Sequence, residues 1–316
     1  MGRRRAAAGV VALAVTAGSG ACQLEEITLV DPEDVVVAEV HVQIFQGDGG
    51  ETRVTAFLHR TLGPGGESVP VPGAAVAVRH GGSTMELAET GLERCVVTTP
   101  VDGTGTCQWA APFPGTGPVP GDTLTLRIDL PDGGIMESQS VVPGAFGMVA
   151  PGGLDACGIP ADTTLTLRWT RSEGAWAYIN EASLRGIRDA LAPRGITVDP
   201  DDDPLYLLGL SVAATDTTIV FPAEFGLFNR FELEQDLALS LQRGLPPGVR
   251  ADVSIAAADR NYVNWVRGGS FNPSGQVRIP SIQGSGTGVF GSTVVRTIEL
   301  VTPMSDGAAV PACPTL

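Results

Sequence analysis

Apolar and polar residues alternate with a period of two over much of the chain. Val36, Ala38, Val40, Val42 and Ile44 alternate with Glu39, His41 and Gln43, the signature of a half-buried strand. Gly47-Asp48-Gly49-Gly50 supplies a turn. Val54, Ala56 and Leu58 then alternate with Arg53, Thr55 and His59, which predicts a hairpin. Pro70 to Gly73 introduces a third strand over Ala74 to Arg79. Leu124, Leu126, Ile128 and Leu130 form a fourth, after the Pro/Gly-rich stretch 112–121. No long helical periodicity intervenes, so an antiparallel β-sandwich is expected over residues 35–148.

The second half, residues 157–313, has a similar texture. Leu165, Leu167 and Trp169 alternate with Thr164, Thr166 and Arg168, and Trp176 and Tyr178 share one face of the next expected strand. Leu184, Ile187 and Leu191 lie at helical spacing, so Ser183 to Ala192 predicts a short helix stopped by Pro193 and Gly195. Strands are expected over Leu205 to Val212 and Thr217 to Phe221. Phe231, Leu233, Leu237, Leu239 and Leu241 keep a period of two and predict another. Pro246-Pro247-Gly248 turns the chain into Ala251, Val253 and Ile255. Tyr262, Trp265 and Val266 suggest one short helical turn before Gly268-Gly269, and the last strand is expected over Thr293 to Val301. The fold class read from this pattern is mainly β: an N-terminal immunoglobulin/prealbumin-like sandwich, then a second β-rich domain with one or two short helices.

Composition adds constraints. The 41 glycines and 24 prolines are scattered between apolar alternations, which suits short strands joined by turns better than disorder. Every basic residue is arginine. Three of the 20, Arg3, Arg4 and Arg5, fall in an N-terminal leader without acids, leaving 17 against 35 acidic residues from Cys22 onward. So acidic a chain repels phosphate backbones and anionic lipid, which excludes nucleic acid as a partner and makes any membrane attachment covalent. Otherwise the acid serves solubility.

Residues 1–21 read as a signal peptide: a basic n-region, an apolar run from Ala6 to Ala17, and small residues at Ser19, Gly20 and Ala21. The apolar run falls short of the roughly 20 residues needed to span a bilayer. Ser19-Gly20-Ala21-Cys22 resembles the bacterial lipobox, in which the cysteine is diacylated and becomes the new N-terminus. Ser19 stands where that family usually has Leu, and Ser19 with Ala21 also suits ordinary signal peptidase. The resemblance implies lipidation at Cys22 and, with Gln23 rather than aspartate following, placement at the outer membrane. Residues 22–34 then form an acidic tether. Removing Cys22 leaves an even set, Cys95, Cys107, Cys157 and Cys313, suited to two disulfides in an oxidising compartment. Four cysteines allow three pairings. The favoured one is local, Cys95 with Cys107 across a turn and Cys157 with Cys313 across the second half.

Val71-Pro-Gly-Ala-Ala-Val-Ala-Val78, Thr99-Pro-Val-Asp-Gly103 and Pro120-Gly-Asp-Thr-Leu-Thr-Leu-Arg127 resemble carboxypeptidase-regulatory and prealbumin-like immunoglobulin-type modules, which usually serve as spacers or docking domains. The whole layout, with Asp259 to Arg267 carrying Tyr262 and Ile279 to Gly291, resembles uncharacterised outer-membrane lipoproteins found beside TonB-dependent receptors. The resemblance implies a partner: an outer-membrane β-barrel receptor or its ligand.

Other motifs carry less. Gly286-Thr-Gly288-Val-Phe-Gly291 matches GxGxxG, but a dinucleotide site needs a helix after it, and Thr293 to Val301 reads as a strand. The glycines are expected instead to permit a bulge or positive φ at a tight sheet edge. Asp199, Asp201, Asp202 and Asp203 lack the glycine of an EF-hand, and Leu210 stands where its bidentate Glu belongs, so an exposed acidic turn is expected. His41 and His59 are expected to neighbour each other on the outer sheet face; with His80 they complete the histidines. Neither CxxC, HExxH nor GxSxG occurs, and the second half has no His or Lys to serve as a base for Ser or Cys. Trp109, Trp169, Trp176 and Trp265 are candidates to stack on sugars, with core packing the default. The expectation is therefore a non-enzymatic, lipid-anchored envelope protein without cofactor or metal that binds or supports a receptor. The alternatives are a structural or adhesive envelope protein and a carbohydrate-active enzyme working through carboxylates.

Overall fold

The computed structural model describes residues 34–47, 50–61, 69–95, 105–113, 117–152, 154–200, 203–211, 213–225, 235–267, 278–303 and 310–314. Cys22, the leader, the tether before residue 34, Asp201, Asp202 and the Thr99–Gly103 piece lie outside them. The chain is mainly β. Along the first half run β1 (Val36–Phe45), β2 (Thr52–Arg60), β3 (Val69–Pro70), β4 (Ala75–His80), β5 (Ser83–Glu86), β6 (Ala88–Thr90), β7 (Thr106–Ala110), β8 (Thr123–Asp129) and β9 (Ile135–Val141). There follow β10 (Met148–Ala150), β11 (Ala156–Gly158), β12 (Leu165–Trp169), β13 (Ala177–Arg185), α1 (Ile187–Leu191), β14 (Leu205–Ser211) and β15 (Thr218–Phe221). The chain closes with α2 (Gln235–Arg243), β16 (Arg250–Ala258), α3 (Arg260–Arg267), β17 (Gln283–Gly284) and β18 (Gly286–Val301).

Three sheets result. The largest has ten strands in the order β14-β13-β16-β18-β1-β2-β7-β6, with β11 and β3 paired off this path. A five-stranded sheet runs β17-β9-β8-β4-β5, and a three-stranded one β10-β12-β15. The alternation read in the sequence sets the faces. Val36, Ala38, Val40, Val42 and Ile44 of β1 and Val54, Ala56 and Leu58 of β2 turn into a buried core shared with Val76, Val78, Leu124, Leu126, Ile128 and Met136 of the five-stranded sheet. That is the expected sandwich, held by apolar burial of about 25 cal/mol per Å². Further along the large sheet, Val253, Ile255, Ala182 and Leu184 continue the same face and pack with α1 and α2 through Ile187, Leu191, Leu237 and Leu241.

The boundary expected between residues 148 and 157 is not a break in the molecule. Glu33–Leu316 packs as one unit. β1, from the first half, lies parallel to β18, from the second, in a ladder from Val36↔Gly286 to Phe45↔Val295. β17 likewise extends the first-half strand β9. Alternation reveals which residues face inward, but it is silent on which strand pairs with which.

Four local expectations also change. The period-two run ending at Leu241 is helical over Gln235–Arg243; Leu237 and Leu241, four apart, face the core and Leu239 faces out. A spacing of four fits both periods, which is why Leu237 and Leu241 read as strand positions; Phe231 and Leu233 lie outside the described residues. The helix expected from Ser183 begins only at Ile187, because β13 continues to Arg185 and buries Leu184 as a strand residue. The last strand starts at Gly286, not Thr293, and sits mid-sheet rather than at an edge. Gly288 takes φ +134°, and a Cβ there would collide with the Ala38 carbonyl, so the parallel β1–β18 ladder requires glycine at this position. Finally, His41 faces Thr55 across the hairpin while His59 faces Val37, two rows apart rather than side by side.

Cys95 is bonded to Cys107 and Cys157 to Cys313, the favoured pairing. The first tucks the segment after β6 against β7. The second ties β11 to the C-terminal segment, where Gly158 and Ala312 form a parallel bridge. Two disulfides mark an extracytoplasmic chain. Among the described residues no helix is long and apolar enough to cross a membrane.

Candidate functional site

The large sheet is covered on its inner face by the core. Its other face is covered at one end by α3, whose Val263 packs on Ala177, Ile179 and Val295, and whose Trp265 packs on Val37 and Val289. Gly291 lies beneath α3, where a Cβ would stand 2.7 Å from the Tyr262 Cβ, so a small residue lets the helix settle on the strand. Asp259 fixes the start of this helix. Its Oδ1 accepts the Tyr262 N–H at 2.9 Å and its Oδ2 accepts the Ser140 hydroxyl at 2.7 Å, while Ser140 and Ser292 are joined at 2.6 Å. Burial pushes the Asp259 carboxyl up to about 6, against the opposing pull of these donors.

Beyond α3 the outer face opens as a cleft of about 680 Å³, within the range of small-molecule sites. Registers place its floor in rows across the strands. One row is Ile179, Ala256 and Val295; the next is Glu181, Ser254 and Thr297. His41, Gln43 and Thr293 continue the floor toward β2, and Tyr206 of β14 and Trp109 of β7 stand at opposite sides.

The electrostatics of this floor are uneven. Glu181 is half-buried, and among the described residues neither a hydrogen bond nor an ion pair reaches its carboxylate; desolvation alone pushes it up to about 7. The next row holds Asp252 and Glu299, but Arg185 meets the first at 2.7 Å and Arg250 the second at 3.1 Å. Burial lowers the His41 pKa against the pull of Glu39, so the ring is neutral, and among the described residues its Nδ1 has no partner, nor does the buried Thr293 hydroxyl. Tyr262 stacks edge-on against His41 at 4.6 Å between ring centres, and burial with nearby Glu181 raises its phenol. At the far rim, Arg53 covers the Phe45 ring and pairs with Glu51, and Arg94 covers the Trp109 ring.

Sequence-derived candidates scatter. Gly286, Gly288 and Gly291 lie within β18 and serve its pairing. Asp203 binds the backbone N–H groups of Gly186 and Arg188. His80 pairs with Asp122 at 2.6 Å on the other sheet. Trp169 is buried, and Trp176 is exposed beneath Arg260, so it does not share the environment of buried Tyr178. Among the described residues no group of three His, Cys, Asp or Glu is placed to hold a metal ion. Glu181 was not singled out in sequence. Its signal was one acid in the run Ala177-Tyr-Ile-Asn-Glu-Ala-Ser-Leu-Arg185, on the polar phase of a strand.

No protein-family model matches the chain, and no curated protein does. Among solved structures the chain is similar to fibronectin(III)-like modules of CbhA from Clostridium thermocellum. The identity is 9% over 84% of this chain and 91% of that one, and the TM-score is 0.19. At that score the likeness does not define a fold.

Proposed function

We propose that this is an exported, non-enzymatic binding protein, lipid-anchored through Cys22 at the outer membrane, where it supports a β-barrel receptor. The observation that carries binding is the open outer face of the large sheet, which combines an unpaired carboxylate, unpartnered polar groups and aromatic walls in one cleft. Unpaired polar groups in a half-buried cleft cost stability, so their retention fits a site completed by a ligand. The leader and lipobox-like residues support the anchor.

Carboxylate chemistry on a glycoside fits less well. It needs two carboxyl groups within about 10 Å. The nearest acids on this face, Asp252 and Glu299 in the adjoining row, are held by Arg185 and Arg250, and the other acids lining the cleft, Glu51 and Glu93, belong to the β2 side, about 19 Å away at four strand spacings. Recovery of the tagged protein from outer membranes in mild detergent, with Cys22→Ala as control, tests the reading. A stoichiometric barrel protein that co-purifies with the wild type and is lost with the variant supports it. Membrane recovery without a partner overturns the receptor role, and recovery unchanged by the substitution overturns Cys22 as the anchor.

A further inference from the structure

The cleft floor is chemically polarised, and that polarity selects a ligand class. Glu181, Ser254 and Thr297 are cross-strand neighbours on β13, β16 and β18. All three face the cleft, and together they present a carboxylate and two hydroxyl oxygens, three acceptors in one row. Nothing cationic shares that row. Among the described residues, Arg185 and Arg250 at this end of the face are committed to Asp252 and Glu299, and Arg53 and Arg94 sit across the sheet on aromatic rings. On one side of the row lies the apolar strip Ile179, Ala256 and Val295, which α3 covers in part and which still lines the cleft beside Phe45. On the other stands Tyr206, 49% exposed, with its cross-strand partner Ser183.

We infer that the cleft binds a small organic cation, with its ammonium group on Glu181, Ser254 and Thr297 and its apolar body along Ile179, Ala256 and Val295. The inference rests on the reading of this face as the binding site and names its ligand class. An ammonium group brings three donors to three acceptors and supplies the charge that Glu181 lacks. Tyr206 adds a ring face within reach of a cation. An anion is disfavoured, because Glu181, Asp252 and Glu299 all lie at this end of the sheet. A neutral ligand leaves the carboxylate unpaired.

Calorimetric titration of the full chain at pH 8 with 2-phenylethylammonium, and with 2-phenylethanol as its neutral counterpart, tests this. The cation is expected to bind at least about tenfold tighter than the alcohol, the scale of a hydrogen bond to a charged partner. Glu181→Gln is expected to abolish that difference. Its fold is checked by thermal melting, and Ser254→Ala and Thr297→Val, which keep the charge, should each weaken only the cation. Equal affinities for the two probes overturn the inference, as does undiminished preference for the cation in Glu181→Gln. Equal affinities that are both lost in Tyr206→Ala overturn the cation while leaving the cleft as a binding site. Failure of the cation to bind overturns the inference without touching the receptor test.

Discussion

The stability contributed by Glu181 and Asp259 should fall as pH rises from about 4.5 to 7, the reverse of what ordinary surface carboxylates produce. Glu181 rises from 4.5 to about 7 on folding and Asp259 from 3.8 to about 6, both chiefly through burial. An acid whose folded pKa is raised binds its proton more tightly when folded. Its contribution is complete below the unfolded value and is lost as pH climbs through the folded one. At 1.36 kcal/mol per pKa unit, each group corresponds to about 3 kcal/mol at most. Glu181 opens onto the cleft, where water screens it, so about 1–2 kcal/mol is the appropriate figure there. Urea unfolding of the oxidised protein at pH 5 and pH 8 measures the loss directly. Glu181 and Asp259 together should lose about 2–3 kcal/mol across that interval, and Glu181→Gln should lose about 1–2 kcal/mol less than the wild type. Asp162, held low by Arg194, titrates below this window. His41, held low by burial, works in the opposite direction within it, so the difference between wild type and Glu181→Gln is the decisive quantity. A Glu181→Gln profile parallel to that of the wild type from pH 5 to pH 8 refutes the reasoning.

Other expectations follow from packing. Gly288→Ala drives a Cβ into the Ala38 carbonyl at the β1–β18 ladder and should cost more than about 3 kcal/mol in urea midpoint terms, with loss of a soluble fold as the extreme. Replacing Cys157 and Cys313 together by Ser opens a loop of sequence separation 156 and should cost about 5 kcal/mol, read as a lower melting temperature. Tyr178→Phe removes the hydroxyl that accepts the buried Ser172 N–H at 2.8 Å and should cost about 1–3 kcal/mol by the same measurement. Asn180 is fully buried, and among the described residues neither amide atom has a partner, so Asn180→Leu should leave stability unchanged or raise it by about 1 kcal/mol.

Much of the architecture is legible locally, and the reasons are physical. The inward phase of β1, β2, β4 and β8 is written in their alternation, and the breaks fall at glycine and proline turns. Cysteine parity suggests the two disulfides. Pairing order is not written: nothing in Gly286–Val301 marks it as the neighbour of Val36–Phe45, because parallel partners far apart in sequence leave no turn between them. The cleft was hidden for the same reason. Glu181, Ser254 and Thr297 come from three strands, and only the β13-β16-β18 order places them in a row. In its own segment each looks like an ordinary solvent-facing strand residue. Leu237 and Leu241 show the other limit, since strand and helix share that spacing.

Backbone shift mapping by NMR, on the full deuterated chain titrated with 2-phenylethylammonium, tests the central claim that the outer face of the large sheet is the binding site. The account predicts perturbations concentrated on β13, β16 and β18 around Glu181, Ser254 and Thr297, with smaller ones at Tyr206 on β14. Saturable perturbations confined to the five-stranded sheet, around β4, β8 and β9, would contradict it.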